Sequence, residues 1–247
     1  MSNIILDGIM GLAVGDALGV PVEFESRDAL RENPVVGMRG YGTHNQPAGT
    51  WSDDTSLTLC LVDSLCIGLN YYHIMNNFIK WLDHGEFTPH GKAFGIGNTT
   101  NEALIRFKNG VPPLLCGGKD EHNNGNGSLM RILPILYFIN SIYGSDFQEE
   151  EEAFEIIHDV SSLTHAHKRS QMACGIYISI AAMLISHEDL DEAVELGIKK
   201  AMDYYKKKEE FQSEIEHFSR MESRDFKHLP EEEMKSNGYV VSTLEAA

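Results

Sequence analysis

Residues 52–69, with the sequence SDDTSLTLCLVDSLCIGL, constrain the fold more than any other segment of this chain. After two acidic residues, the segment is apolar on nearly all sides at helical spacing. Such a helix needs other elements around it, so the segment predicts a central buried helix. Strand-like alternation is scarce, and no repeat of fixed period is found. The sequence predicts a single all-α domain over residues 1–247, because helical periodicity recurs in 3–19, 71–85, 99–108, 128–143, 150–163, 168–186 and 189–208.

The charge balance limits the classes of partner. The chain has 37 acidic against 20 basic residues, a formal net charge of −17. This excess argues against binding to the nucleic-acid backbone and to anionic membranes, which both attract positive charge. A small phosphorylated ligand remains compatible, since it needs only a local group of backbone N–H donors.

The cysteines and the N-terminus indicate a compartment. Cys60, Cys66, Cys116 and Cys174 form no C-x-x-C pair, so we expect reduced thiols and no disulfide framework or zinc site. Residues 1–7 lack the basic start of a signal peptide. We therefore expect a cytoplasmic protein.

The stretch GTWSDDTSLTL, residues 49–59, places the carboxylates of Asp53 and Asp54 side by side. One interpretation is local: Ser52 caps a helix, and acids in its first turn gain about 0.3–1 kcal/mol each from the helix dipole. This explains two neighbouring acids less well than one, because their side chains point about 100° apart and their charges repel. The other interpretation is that the oxygens of this turn bind a hard cation such as Mg²⁺. The residues alone leave both interpretations open.

A second acidic motif is GLAVGDALGVPVEF, residues 11–24. Its glycines recur every four residues, which allows a helix or a ligand to approach the backbone closely. Asp16 lies on this largely apolar helix, and Glu23 follows Pro21 and is therefore presented from a loop. Taken singly, Asp16 is better explained as a satisfied core or capping acid, and Glu23 as a surface acid, than either is as a catalytic group.

The stretch NNGNGSLMRILPI, residues 123–135, is a flexible loop that leads into an apolar helix. Backbone N–H groups at such a junction favour an anion, although the lysine of a Walker loop is missing. Arg131 is open to two interpretations, pairing with a phosphate or holding the acidic loops. His165 and His167 are two residues apart, which does not place them on one helix face as a zinc pair requires.

Several motifs together, in this order, resemble the ADP-ribosylglycohydrolase family, which includes the dinitrogenase-reductase-activating glycohydrolases. The matching stretches are GLAVGDALGVPVEF, GTWSDDTSLTL, GKAFGIGNTTNEAL, GNGSLMRILPI and LTHAHKRSQMACGIY. The resemblance implies an orthogonal multi-helix bundle with a cleft for two Mg²⁺ or Mn²⁺ ions. It also implies hydrolysis of the glycosidic bond that joins ADP-ribose to a protein side chain or a small molecule.

The resemblance also assigns roles to individual residues. Ser52, Asp53 and Asp54 correspond to metal ligands, and Glu23 acts with the two aspartates as the catalytic group. The other matching residues correspond to substrate-binding positions: Gly95, Gly97, Thr99, Asn126, Gly127, Ser128 and His165.

One element of the family pattern has no counterpart. The second metal-ligand cluster of the family is of the Gly-x-Asp-x-Asp-Thr type, and the only D-x-D here, Asp189 and Asp191, lacks that context. We expect a C-terminally truncated form of the fold with an incomplete second metal site. Val240, Val241 and Leu244 would then lack partners, and a homo-oligomer or a completing chain would cover them. The alternative to a hydrolase is a catalytically inactive, ADP-ribose-binding regulatory homologue.

Overall fold

The computed structural model describes residues 3–187, 189–223 and 225–247. Ten α-helices lie within these ranges, and the only β-pairing there consists of two isolated bridges. The all-α prediction is therefore confirmed. The helices are α1 (Ile4–Gly19), α2 (Arg27–Glu32), α3 (Asp53–Leu65), α4 (Tyr71–His84), α5 (Asn98–Lys108), α6 (Pro134–Tyr143), α7 (Glu151–Ser162), α8 (Lys168–Ser186), α9 (Leu190–Tyr205) and α10 (Val240–Ala246).

Helix α3 lies in the middle of the bundle, as its composition requires. It packs against α1, α4 and α6, and the side chains of Leu57, Cys60 and Leu61 are fully buried. Helix α8 forms the second half of the core and packs along α9. Gly197 permits this close approach. A Cβ atom at its position would lie 2.5 Å from the Ile180 Cα, which is too close for any residue with a side chain.

Helix boundaries follow local signals at several places. Helix α8 begins and ends where periodicity predicts, and α4 ends at Gly85, whose φ of 69° is left-handed. The single helix predicted over 128–143 is wrong in its first turn. A short 3₁₀ turn at Leu129–Arg131 precedes α6, because Pro134 lacks the N–H that a continuous helix would need there.

The C-terminal helix differs from its prediction. Val240, Val241 and Leu244 are at most 5% exposed, so the expectation that they lack partners is wrong. Helix α10 packs against α8 and against the 3₁₀ segment Glu209–Glu222. These neighbours, which the periodicity of α10 could not identify, cover its apolar face.

The N-terminal helix exposes a row of apolar side chains. Ala17 is the only buried residue of α1, and a stripe of Leu6, Met10 and Val14 is 43–55% exposed. Ile4–Val22 is long and apolar enough to cross a membrane by length and composition alone. The carboxylate of Asp16 nevertheless bonds to α3, which ties this helix to the bundle.

Candidate active site

A cleft of about 790 Å³ opens between α1, the start of α3, and the loops before α5 and α6. Two sides with different chemistry face each other across it. The first side is acidic and comes from α1, α3 and the turn after α1. The second side consists of backbone and neutral polar groups. Ten of the eleven predicted site residues line the cleft: Glu23, Ser52, Asp53, Asp54, Gly95, Gly97, Thr99, Asn126, Gly127 and His165.

Asp16 fixes the N-terminus of α3 from the neighbouring helix. Its carboxylate accepts hydrogen bonds from the backbone N–H and the hydroxyl of both Ser52 and Thr55, at 2.6–3.1 Å. Free N–H groups at a helix start favour a negative charge, so Asp16 stabilises this end of α3. The capping interpretation left open for Asp16 is correct. Asp16 lies on α1 but caps α3.

The adjacent aspartates of α3 are held in an unfavourable environment for their charge. Burial, followed by the charge of Asp54, raises the pKa of Asp53 well above its usual range. Burial, followed by the charge of Asp16, raises the pKa of Asp54 to about 7. The Asp53 carboxylate fills the space beside Gly95, where a Cβ atom would lie 2.3 Å from Oδ1. Ser52 caps α3 by accepting from the Asp54 N–H, but capping requires no burial, so it leaves the desolvation of the two acids unexplained.

Glu23 reaches the same cleft from the turn that follows α1. Its carboxylate contacts the Nε2 atom of His44, and its backbone carbonyl accepts from the Thr43 hydroxyl at 2.6 Å. Phe24, the next residue, has φ of 67° and is 85% exposed at the cleft wall. An aromatic residue in the left-handed region stores strain, and such strain concentrates at ligand sites.

The opposite side of the cleft is formed by residues 125–127. The backbone N–H of Asn126 donates to the Gly238 carbonyl at 3.0 Å, and its side chain donates to the Thr243 hydroxyl at 3.3 Å. The carbonyl of Asn124 accepts from the Val240 N–H at 2.9 Å. The start of α10 therefore holds this loop, an arrangement that short-range sequence patterns could not predict.

Ser128 is the one predicted site residue that the structure places away from the cleft. Its side chain is fully buried, accepts from the Ser161 hydroxyl at 2.9 Å and contacts the Cys174 sulfur at 3.5 Å. The chain turns inward after Gly127, which directs this hydroxyl into the core. Ser128 supports the loop from below, and the prediction that it contacts substrate does not agree with this placement.

The first turn of α3 fits one hard cation. Ser52, Asp53 and Asp54 offer oxygen donors, and Mg²⁺ uses one or two carboxylates while keeping several waters. A cation would also relieve the burial and repulsion of the two acids. Within the described ranges, no group of three or more His, Cys, Asp or Glu side chains is arranged to hold a metal ion. Asp189 instead caps α9, and Asp191 pairs with Lys227.

Some cleft residues carried no clear signal in the sequence. Phe24, Met130 and Gly238 line the cleft, and His44 supports Glu23 from the loop after α2. Phe24 and Met130 resemble ordinary apolar residues of a helical protein. The unusual φ of Phe24 is visible only in three dimensions.

Comparison with known proteins identifies related chains over nearly the full length. A family profile described as ADP-ribosylglycohydrolase matches residues 2–247. Two proteins named ADP-ribosylarginine hydrolase Tri1, from Pseudomonas putida and Serratia proteamaculans, are each 29% identical over 97% of this chain. An ADP-ribosyl-[dinitrogen reductase] glycohydrolase from Rhodospirillum rubrum is 31% identical over 52% of this chain and 42% of its own length.

A solved structure has the same fold. A chain titled ADP-ribosylglycohydrolase-related protein complex superposes with a TM-score of 0.72 at 26% identity, covering 99% of this chain and 73% of its own length. The present chain spans 58% and 59% of the two Tri1 proteins, so both relatives contain residues without a counterpart here.

Proposed function

This chain belongs to the ADP-ribosylglycohydrolase family, and on that basis we propose that it hydrolyses a glycosidic bond of ADP-ribose. The observation that carries the proposal is the convergence of Glu23, Asp53 and Asp54 opposite the loop 125–127. We take arginine-linked ADP-ribose on a protein as the substrate to test first, because the Tri1 relatives are named for that linkage.

The acidic side of the cleft suits the charge that develops in this reaction. Glycosidic cleavage passes through an oxocarbenium-like state, so negative carboxylates near the ribose stabilise the developing positive charge. Glu23 is the most exposed of the three acids and is held by His44, which suits it to orient the attacking water and accept its proton. The backbone N–H groups of Gly125 and Gly127, on the side opposite the acids, would bind the anionic diphosphate, whereas that of Asn126 is taken by the Gly238 carbonyl.

A divalent cation, Mg²⁺ or Mn²⁺, is the proposed cofactor. Ser52, Asp53 and Asp54 would hold it, and when bound it would lower the pKa of a coordinated water. In the family pattern the site is binuclear, and we propose that this chain alone forms only the part on α3.

The metal assignment is tested by thermal stability. In the wild-type chain, Mg²⁺ at one hundred times its dissociation constant should stabilise the fold by about 2.7 kcal/mol. The double variant Asp53→Asn with Asp54→Asn should show no such response. A matched control is Asp191→Asn, which changes an exposed first-turn acid of α9. An equal Mg²⁺ shift in all three proteins would refute the assignment.

The activity is tested with an arginine-ADP-ribosylated peptide in the presence of Mg²⁺. Release of ADP-ribose that is lost in Glu23→Gln supports the hydrolase. Calorimetric binding of ADP-ribose without turnover identifies instead the inactive binding homologue. The absence of both binding and turnover contradicts the proposal.

We also propose that a second copy of this chain covers the exposed stripe of α1, Leu6, Met10 and Val14, because an apolar stripe of this kind marks an interaction surface. The stripe adjoins the cleft, since Gly15 and Gly19 of the same helix line it. Sedimentation of wild type and of Met10→Lys with Val14→Lys tests this. Self-association that is lost in the variant supports a second copy as the occupant, and a monomeric wild type contradicts it.

The compartment is likewise a proposal. A cytoplasmic location is supported by the four free cysteines, of which Cys66 is exposed. Fractionation of the producing cells would test it.

A further inference from the structure

His165 presents one ring nitrogen to the cleft. The residue is 2% exposed, and its ring lies beneath the loop so closely that a Cβ atom at Gly127 would be 2.8 Å from Cε1. The only hydrogen bond of the ring within the described part of the chain is at Nδ1, on the side away from the cleft. The Nε2 atom therefore faces the ligand space beside Gly125 and Gly127.

The partner of Nδ1 has a fixed hydrogen-bonding role. The Thr164 hydroxyl lies 2.9 Å from His165 Nδ1 and 2.8 Å from Arg131 Nη2. A guanidinium only donates, so the Thr164 oxygen must accept from Arg131. The oxygen could also accept from an Nδ1–H group, but the hydroxyl hydrogen of the fully buried Thr164 would then have no acceptor among the described residues. The hydroxyl therefore donates to Nδ1.

Arg131 contacts Thr164 from the core and does not line the cleft. Its side chain is fully buried, its guanidinium lies 4.9 Å from the centre of the Phe78 ring, and Nη2 also donates to the Val160 carbonyl at 3.2 Å. Both interpretations that the sequence left open for Arg131, phosphate pairing and the holding of acidic loops, are therefore wrong. Both hydrogen bonds that the described residues give Arg131 are made by Nη2, to Thr164 and Val160, while its buried Nε and Nη1 have no partner there.

We infer that Arg131 and Thr164 are positioning residues that hold His165 as the neutral Nε2–H tautomer, so that it donates a hydrogen bond to a ligand oxygen. Nδ1 accepts from Thr164, and the ring proton must therefore reside on Nε2. The geometry assigns His165 a donor role and removes it from the candidates for general base. Burial, followed by the charge of Arg131, lowers the pKa of His165 to about 3, which agrees with a neutral ring.

The donor role defines what His165 can recognise. An Nε2–H group beside backbone amides binds an oxygen that carries negative charge or a lone pair, such as a diphosphate oxygen or a ribose hydroxyl. The acids of α3 lie on the other side of the cleft. This part of the inference rests on the proposed function, whereas the tautomer itself does not.

The tautomer can be measured in the ligand-free protein by nitrogen-15 NMR of the imidazole rings. Protonated and unprotonated ring nitrogens resonate in separate ranges, and His165→Gln identifies the signals of this residue among the 11 histidines. We expect Nε2 protonated and Nδ1 unprotonated in wild type and in Thr164→Ser, which keeps the hydroxyl. Thr164→Val should lose this fixed preference. A proton on Nδ1 in wild type, or an unchanged ring in Thr164→Val, would overturn the inference.

A control separates positioning from general destabilisation. Ser162 lies two residues before Thr164, is buried, and bonds to the His158 carbonyl and to Gln171, away from His165. Ser162→Ala should lower stability while it leaves the His165 tautomer unchanged. A tautomer change in this control would show that loss of packing, rather than loss of the Thr164 hydroxyl, controls the ring.

Binding of ADP-ribose tests the donor role in a second experiment. His165→Ala should weaken binding about tenfold, the loss of one hydrogen bond, whereas His165→Gln, whose amide N–H reaches the position of Nε2, should weaken it less than about threefold. Equal losses in both variants would refute the donor role. If wild type binds no ADP-ribose, the proposed function fails, while the NMR result on the tautomer remains valid.

Discussion

Replacing Asp54 by Asn should remove a pH-dependent penalty from the fold. The pKa of Asp54 is raised from 3.8 to about 7, first by burial and then by the charge of Asp16. In the unfolded chain the same carboxyl ionises near pH 4. Between these values the folded protein holds a proton that the unfolded chain releases. Linkage then requires that stability falls as pH rises from about 4 to about 7.

The size of the effect follows from the shift. A difference of about three pKa units corresponds to about 4 kcal/mol, at 1.36 kcal/mol for each unit. Asp54 keeps partial contact with solvent, and its titration is linked to that of Asp53, so we expect about half of this value, ~2 kcal/mol. The penalty is absent below the unfolded pKa and complete above the folded pKa.

Urea denaturation in EDTA at several pH values between 4.5 and 7.5 measures this difference. The stability of Asp54→Asn relative to wild type should rise by ~2 kcal/mol across this range. Asp191→Asn is the control, because that acid occupies the first turn of α9 but is largely exposed. Its stability relative to wild type should stay nearly constant. If Asp54→Asn also gave a constant difference, the argument that burial raises this pKa would be refuted.

Three further substitutions test two residues of the cleft and one buried ion pair outside it. Gly95→Ala should destabilise the fold by about 2 kcal/mol and weaken the Mg²⁺ response, because φ is 85° there and the new Cβ meets the Asp53 carboxylate. Unchanged melting and metal titration curves would contradict this prediction. Phe24→Gly should stabilise the fold by about 1 kcal/mol, because it removes a left-handed backbone strain, and calorimetry should show weaker ADP-ribose binding. A loss of stability would show that packing of the Phe24 ring outweighs the strain. Arg169→Met should lower the free energy of unfolding by about 3–5 kcal/mol in urea denaturation, because it leaves the buried Glu214 carboxylate without its partner at 2.8 Å. A decrease below about 1 kcal/mol would mean that water replaces the arginine.

Local sequence patterns were sufficient where one physical cause dominates. The apolar run after Asp54 had to become a buried helix, and α3 is the centre of the bundle. Periodicity and the glycine after His84 located α8 and the end of α4. Ordered motifs also led to the ten predicted site residues that line the cleft, because the same short stretches that resemble the family lie around it.

Patterns failed where distant segments decide the environment of a residue. Ser128 follows the Asn/Gly loop in sequence, yet its hydroxyl turns into the core toward Ser161. Val240 and its neighbours were expected to be uncovered, but α8 buries them. The 3₁₀ segment Glu209–Glu222 lies outside the predicted helices, and its buried Phe211 and Phe218 belong to the core.

By itself, the sequence determined that the chain forms helices around one apolar segment and that acids, glycines and a histidine recur in motifs of one family. These properties depend on residues close together along the chain, through backbone hydrogen bonding and the period of the helix. Only the tertiary structure decided that Asp16 caps α3, that the aspartates of α3 are desolvated, and that Arg131 acts on His165 through Thr164. Each of these effects depends on burial and on atoms that come within about 3 Å of one another from distant positions in the sequence. Hydrogen bonds and pKa values respond to such spatial neighbours rather than to sequence neighbours.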